Sequence, residues 1–274
     1  MLLEGRHFRR EWSPARDIGA KAAARNLADV AAMGARPTAL LVNFAGPGDL
    51  EVEWVLELAD GIAQECAAAG AGVAGGDTSG ADTVMLAITA LGDLRGADPV
   101  TRHGARPGDV VAVSGILGAA AAGLALLSGG YAPPDDGLRD LIRAHRRPAP
   151  PYDAGPEAAA LGATAMIDVS DGLVADLGHI AEASAVGIRL NWEQIASGPA
   201  GRAGDLARAA DVAGVAGWKN WVLAGGDDHA LAAAFPPRTR LPERWQVIGE
   251  VFEGDVVTVD GQAWQGRGGW QHFE

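Results

Sequence analysis

The sequence contains a single cysteine, Cys66, so it can form no intrachain disulfide and no thiolate metal cluster. Its neighbours are helix-patterned, which makes it a packed core thiol. Lysine is confined to Lys21 and Lys219 against many arginines, a bias of the kind genome composition produces. No long hydrophobic run is present: the longest apolar stretch, Ile116 to Leu127, is too short and too rich in Ala and Gly to span a bilayer. No basic-then-apolar signal opens the chain, and a cytoplasmic protein without a membrane partner is expected. A GxxxxGK[ST] phosphate loop and a protein-kinase catalytic loop are both missing. Gly70 to Gly75 satisfies GxGxxG, but it follows a helix and precedes a strand, the reverse of a dinucleotide-binding turn. No His/Cys spacing suggests zinc. Basic character is lacking too. A net charge of −13 would repel a nucleic-acid backbone, yet small phosphorylated ligands remain compatible with it if divalent metals stand between.

What is present is an ordinary globular balance, long enough at 274 residues for one large domain or two smaller ones. Ser13-Pro14 reads as a capped helix start, and that helix stops at Gly34 with Pro37 beyond. Thr38 to Phe44 is β-rich, Glu51 to Ala69 is helical, and Thr83 to Leu91 is a strand. The turn-rich Arg102 to Gly108 is the best boundary, dividing the chain into residues 1–106 and 107–274. Beyond it, strands are expected at Asp109 to Ser114, Ala165 to Asp168, Leu231 to Phe235, Gln246 to Val251 and Val256 to Val259. Helices follow two of these strands, at Leu117 to Leu127 and from Gly172 to about Val186, and Asp260-Gly261 is a hairpin signal. The fold class is α/β with mixed sheets, in two units.

The chemistry lies in carboxylates placed beside glycines. Gly75-Gly76-Asp77-Thr78 reads as a loop after an apolar run. Gly225-Gly226-Asp227-Asp228 follows the strand-like Trp221 to Ala224, and Asp168-Val169-Ser170-Asp171-Gly172 ends a strand and opens a helix. Glycine lets backbone N–H groups approach phosphate oxygens, and a helix N-terminus favours an anion. Carboxylates are the hard ligands that Mg²⁺ takes alongside water and phosphate oxygens. Asp29 lies near one helical turn after Asn26 and shares its face. Each motif also has an ordinary reading. Asp77 and Asp227 could be turn residues, Ser170 or Asp171 a helix cap, Asp29 a solvated helix residue, and His7, His179 and His229 core or surface histidines.

Taken together and in order, the motifs resemble the thiamine-monophosphate kinase family, in the superfamily of aminoimidazole ribonucleotide synthetase and selenophosphate synthetase. Leu3 to Phe8 is similar to a VEGxHF segment, and Asn26 to Ala35 (NLADVAAMGA) to NLSDLAAMGA. Gly75 to Thr78 matches GGDT, and Arg102 to Asp109 matches RxGAxxGD. Ile167 to Ile180 matches IDxSDGLxxDLxHI, Gly225 to Leu231 resembles GGEDYEL, and Gly269 to Phe273 resembles GYDHF. The resemblance implies the two-domain aminoimidazole ribonucleotide synthetase-like fold and ATP-dependent phosphorylation of thiamine monophosphate to thiamine diphosphate with Mg²⁺. It implies catalytic roles for Asp29, Asp77 and Asp171, and metal ligation by Asp29, Asp77, Asp168 and Asp171. Gly76, Asp77, Arg102 and Ser170 would lie at the nucleotide, and His7, Asp227 and Trp270 at the thiamine phosphate. A homodimer built through the N-terminal units is implied as well. This chain departs from the pattern with Asp227, His229 and Ala230 where the family has Glu, Tyr and Glu, and with Trp270 for Tyr. The family's GDDAA strand would precede the VEGxHF run, and the chain begins at Met1-Leu2-Leu3 inside that stretch. A truncated form or an incomplete enzyme is therefore expected, with another ATP-using superfamily member or an inactive nucleotide-binding or dimerisation module as the alternatives.

Overall fold

The computed structural model describes residues 1–131, 135–264 and 269. In the first unit, β1 (Leu2–Leu3), β2 (Arg36–Gly46), β3 (Gly72–Gly80) and β4 (Met85–Asp93) form a mixed sheet in the order β1-β4-β2-β3. Parallel pairing of β2 with β3 requires a crossover, which α2 (Val52–Ala68) supplies; β4 then returns antiparallel to β2. Helix α1 (Ala15–Ala32) packs beside α2 on the sheet, burying Ile18, Leu27, Leu58, Ile62 and Cys66 against Leu40 and Leu86. Two glycines allow the helices to approach closely. A Cβ at Gly19 would fall 2.0 Å from the Leu58 carbonyl oxygen, and one at Gly61 would fall 1.9 Å from that of Arg16.

The second sheet runs β11-β10-β7-β9-β5-β8-β6. Its strands are β5 (Val110–Ser114), β6 (Ala165–Asp168), β7 (Gly187–Leu190), β8 (Leu231–Phe235), β9 (Gln246–Phe252), β10 (Val257–Val259) and β11 (Gln262–Ala263). It is packed by α3 (Ala119–Ser128), α4 (Asp136–Arg146), α5 (Ala154–Ala160), α6 (Leu173–Ser184), α7 (Trp192–Ser197), α8 (Ala203–Ala213) and α9 (Lys219–Ala224). A further core joins the two units: Ala31 and Ala32 at the end of α1 pack with Met166, Phe235 and Trp245. Helix α1 thus belongs to both, and small residues along it permit that double contact.

Most elements fall where the residue pattern places them, with three corrections. Ser13 does not cap α1; Pro14 occupies the N-cap position with no side-chain bond. Gly75 to Thr78 is not a loop but the middle of β3, because its backbone pairs with Leu41 to Phe44 of β2. Trp221 to Ala224 is the body of α9 rather than a strand; a four-residue apolar run does not distinguish the two. Asp260-Gly261 does turn the β10–β11 hairpin, both residues at positive φ as a two-residue type I′ turn requires.

Candidate active site

The site forms where two aspartate-bearing segments continue a ladder beyond their strands. Antiparallel pairing of β6 with β8 ends at Asp168 opposite Leu231. The main chain then continues the pairing: Val169 N–H donates to Ala230 O (2.7 Å), His229 N–H to Val169 O (2.8 Å) and Asp227 N–H to Ser170 O (2.9 Å). Residues distant in sequence are thereby locked face to face. The Ser170–Gly172 turn is held from below by Asp176, whose Oδ2 accepts the N–H groups of Ser170, Asp171 and Gly172, each at 3.0 Å. Neither Ser170 nor Asp171 caps α6; Gly172 is at its N-cap with no side-chain bond. Asp228 caps a different helix, accepting N–H from Gly118 (2.5 Å) and Ala120 (2.9 Å) at the start of α3.

Helix α1 closes the other side. Lys21, Arg25 and Asp29 are spaced four apart, so they form one row on its surface. Lys21 Nζ lies 2.8 Å from Asp227 Oδ2 and Arg25 lies 3.0 Å from Asp227 Oδ1. His229 is between the two aspartates, with Nδ1 3.0 Å from Asp168 Oδ2 and Nε2 3.7 Å from Asp227 Oδ1. The first contact is a hydrogen bond; the second is too long for one and acts through charge. Asp29 completes the row and interacts with Asp168 through charge.

These contacts set the protonation states. Burial, then the Asp168 carboxylate, pushes Asp29 up to about 6, while His229 and Arg25 pull the other way. Burial alone would raise Asp227, but Lys21, His229 and Arg25 hold it well below the usual carboxylate range. Burial opposes charge on His229, yet the bond to Asp168 and the nearness of Asp227 outweigh it and push the imidazole up to about 9. His7 is shifted down by burial and by Arg25, so it is neutral at pH 7. Its Nδ1 accepts Leu3 N–H at 3.0 Å, which leaves its ring proton on Nε2.

A cleft of about 560 Å³ opens beside this cluster, between the N-terminal segment and the second unit. It brings together His7, Ser170, Asp171 and Asp227, all expected from sequence, with Phe8, Trp12 and Arg25 as further walls. Asp168 and Asp29 are not among its walls; His229 connects Asp168 to Asp227, which is. Gly76 and Asp77 are elsewhere, on the exposed strand β3, and Arg102 is exposed in the segment joining the units. Trp270 lies outside the described residues. Among the described residues, no three Asp, Glu, His or Cys side chains gather into a preformed metal cage. Asp29 and Asp168 nevertheless fit a divalent cation: the buried Asp168 carboxylate and the solvent-accessible Asp29 carboxylate repel each other, and a cation between them would relieve that repulsion. Mg²⁺ is held in this manner, by one or two carboxylates with phosphate and water oxygens completing its shell.

Lys21, Arg25 and Asp176 carry much of this architecture and are not among the site residues the motifs point to. For α1 the signal lies in the sequence: Lys21, Arg25 and Asp29 stand four apart within an alanine-rich helix, and Lys21 is one of only two lysines.

Comparison with known proteins agrees with the geometry. Residues 1–94 match the model for the AIR synthase related protein N-terminal domain, and residues 106–216 match its C-terminal domain. The fold therefore defines an AIR synthase-like protein. Thiamine-monophosphate kinase from Mycobacterium tuberculosis is 46% identical over 274 residues, spanning 100% of this chain and 79% of the relative. The Corynebacterium glutamicum enzyme is 39% identical, with 100% and 82% covered. A solved structure titled "AaThiL complexed with AMPPCP and TMP" superposes with a TM-score of 0.90 at 33% identity, covering 99% of this chain and 85% of the other. The chain belongs to the thiamine-monophosphate kinase family. Among the described residues, no helix is long and apolar enough to cross a membrane.

Proposed function

We propose that this chain transfers the γ-phosphoryl group of ATP to the phosphate of thiamine monophosphate, giving thiamine diphosphate. The cleft shared by His7, Arg25, Ser170, Asp171 and Asp227 carries the reading, in a chain whose relatives bear that activity's name along its whole length. The acceptor is a phosphate, already anionic near neutral pH, so no strong general base is needed. The obstacle is repulsion: two unit charges ~4 Å apart repel by about 4 kcal/mol at an effective dielectric of ~20. Mg²⁺ ions would neutralise phosphate charge, Asp29, Asp168 and Asp171 being the proposed ligands beside the cleft and Asp77, on β3 apart from it, the proposed ligand at the nucleotide. The protein's own part is placement. His7 offers a neutral Nε2–H donor to a phosphate oxygen, Arg25 contributes a fixed positive charge, and the Ser170–Gly172 turn is preset by Asp176. Gly76, Asp77, Arg102 and Ser170 are assigned to the nucleotide, and His7, Asp227 and Trp270 to thiamine monophosphate.

The division into residues 1–106 and 107–274 is supported by the separate sheets on either side of it. A homodimer through the first unit is supported by β3, exposed along its length at the sheet edge. Leu41 and Leu91, on the sheet face away from α1, are also 38% and 49% exposed. Dependence on ATP and one buried, unpaired Cys66 suit the cytoplasm. Incubation with ATP, Mg²⁺ and thiamine monophosphate, followed by chromatography, tests the activity. Thiamine diphosphate should accumulate with time and protein, whereas none from folded chain would overturn the proposal.

A further inference from the structure

His229 stands between Asp227, which the cationic row of α1 holds, and Asp168, a carboxylate assigned to the cation. Its side chain is 2% exposed, and its main chain is pinned by the N–H bond to Val169 O. The residue is held at φ +53°, in the left-handed region that few residues with a side chain adopt, His, Asn and Asp more often than the rest. Asp227, two residues before it, is held at φ +69°. Both conformations persist because the ladder to residues 169–170 and the ion pairs to Lys21 and Arg25 over-determine them. The consequence is a ring fixed in place. A carboxylate can only accept, so Nδ1 carries the proton in the bond to Asp168 Oδ2. Nε2 is buried without a hydrogen-bond partner and faces Asp227 through charge alone.

We propose that His229 is a positioning residue: it occupies Oδ2 of Asp168, turns Oδ1 toward the divalent cation, and is itself anchored to α1 through Asp227, Lys21 and Arg25. The proposal rests on the reading of Asp168 as a cation ligand. Outer-shell hydrogen bonds of this type fix ligand orientation, and their loss costs roughly ten- to a hundredfold in metal affinity. The family motif quoted above has Tyr at this position, so the chain of contacts from α1 to Asp168 is built on a residue in which this sequence departs from that motif.

Mn²⁺ titration followed by electron paramagnetic resonance, with a non-hydrolysable ATP analogue present, reads cation affinity without turnover. His229→Asn keeps an N–H donor near the Nδ1 position and tolerates positive φ; His229→Gln places its amide near Nε2 and withdraws the bond to Asp168. The Gln variant should bind Mn²⁺ about tenfold more weakly and the Asn variant within about threefold of the parent. Equal affinity in parent and Gln variant, or equal loss in both variants, would overturn the positioning role. Asp168→Asn separates the underlying reading: unchanged Mn²⁺ affinity there means Asp168 is no ligand and removes the premise. Should the Gln variant fail to fold, ¹⁵N spectra of the unmutated protein decide. The His229 Nδ1 resonance, assigned with the Asn variant, should move on Mg²⁺ saturation while keeping its proton, and an unmoved resonance would contradict the proposal.

Discussion

Lys21, with 1% of its side chain exposed, places Nζ 2.8 Å from Asp227 Oδ2, so a cation on a helix of the first unit neutralises a carboxylate in a turn of the second. The same ammonium donates to the His145 carbonyl oxygen at 3.0 Å. Burial lowers the lysine's pKa and Asp227 opposes that effect, so the pair survives only as a pair. The clamp ties α1 to Asp227 in the wall of the cleft, and it accounts for a buried lysine in an otherwise apolar stretch of α1.

Lys21→Met should therefore destabilise the protein by about 3 kcal/mol, because Asp227 loses its shortest ion pair and keeps only Arg25 and the more distant His229 imidazolium. Urea unfolding measures this. Adding Asp227→Leu should recover part of the loss, giving a coupling that independent surface sites would not show.

Acid should act through His145. Burial, then Lys21, holds its imidazole down at about 3, against about 6.5 in an unfolded chain. A group depressed on folding contributes stability that is complete above the unfolded value and is lost as pH falls below it. Between pH 7.5 and pH 5 the unfolded chain gains a proton that the folded one refuses, a loss of about 2 kcal/mol. His229 and Asp29, raised on folding, act in the opposite sense in parent and variant alike. The change in unfolding free energy from pH 7.5 to pH 5 should therefore be about 2 kcal/mol less favourable in the parent than in His145→Gln.

Gly76 is required by sterics before any ligand is considered. Its φ is +154°, and an added Cβ would lie 1.7 Å from Val42 O. Gly76→Ala should cost at least about 2 kcal/mol and disrupt the pairing of β3 with β2. Gly72→Ala and Gly80→Ala, at opposite ends of the same strand, meet nothing within 4 Å and should be tolerated. Thermal unfolding of the three variants makes the comparison.

Asp176 should behave as the keystone of the Ser170–Gly172 turn. Asp176→Ala leaves three N–H groups without their acceptor, and should lower both stability, by about 2 kcal/mol or more, and nucleotide affinity. Asp176→Asn retains an accepting oxygen and should fall between. Calorimetric titration with an ATP analogue checks the ranking.

Much of this molecule was legible in the residues. The strand endings at Asp168 and Phe235 and the hairpin at Asp260-Gly261 follow from local pattern, which needs only neighbours in sequence. The GGDT segment did not, since four residues rich in glycine carry no periodicity and β3 is imposed by pairing with β2. Asp168, Asp171 and Asp227 were legible as candidates, but not their linkage. The connections run through Lys21, His229 and Asp176, and whether such residues pair is decided by ladder register and helix docking rather than by spacing. Asp227 illustrates the gap: a turn residue by its φ, it is also the anion that holds α1 in place.

Direct phosphoryl transfer from ATP to the substrate phosphate is proposed at this cleft. Its most immediate test is a rapid-quench reaction of the chain with Mg²⁺, thiamine monophosphate and ATP labelled in the γ-phosphoryl group. The label should appear in the terminal phosphate of thiamine diphosphate in step with ADP, and Asp171→Asn should slow that appearance without unfolding the protein. ADP released without labelled thiamine diphosphate, or no turnover by folded chain that binds both substrates, would contradict the account.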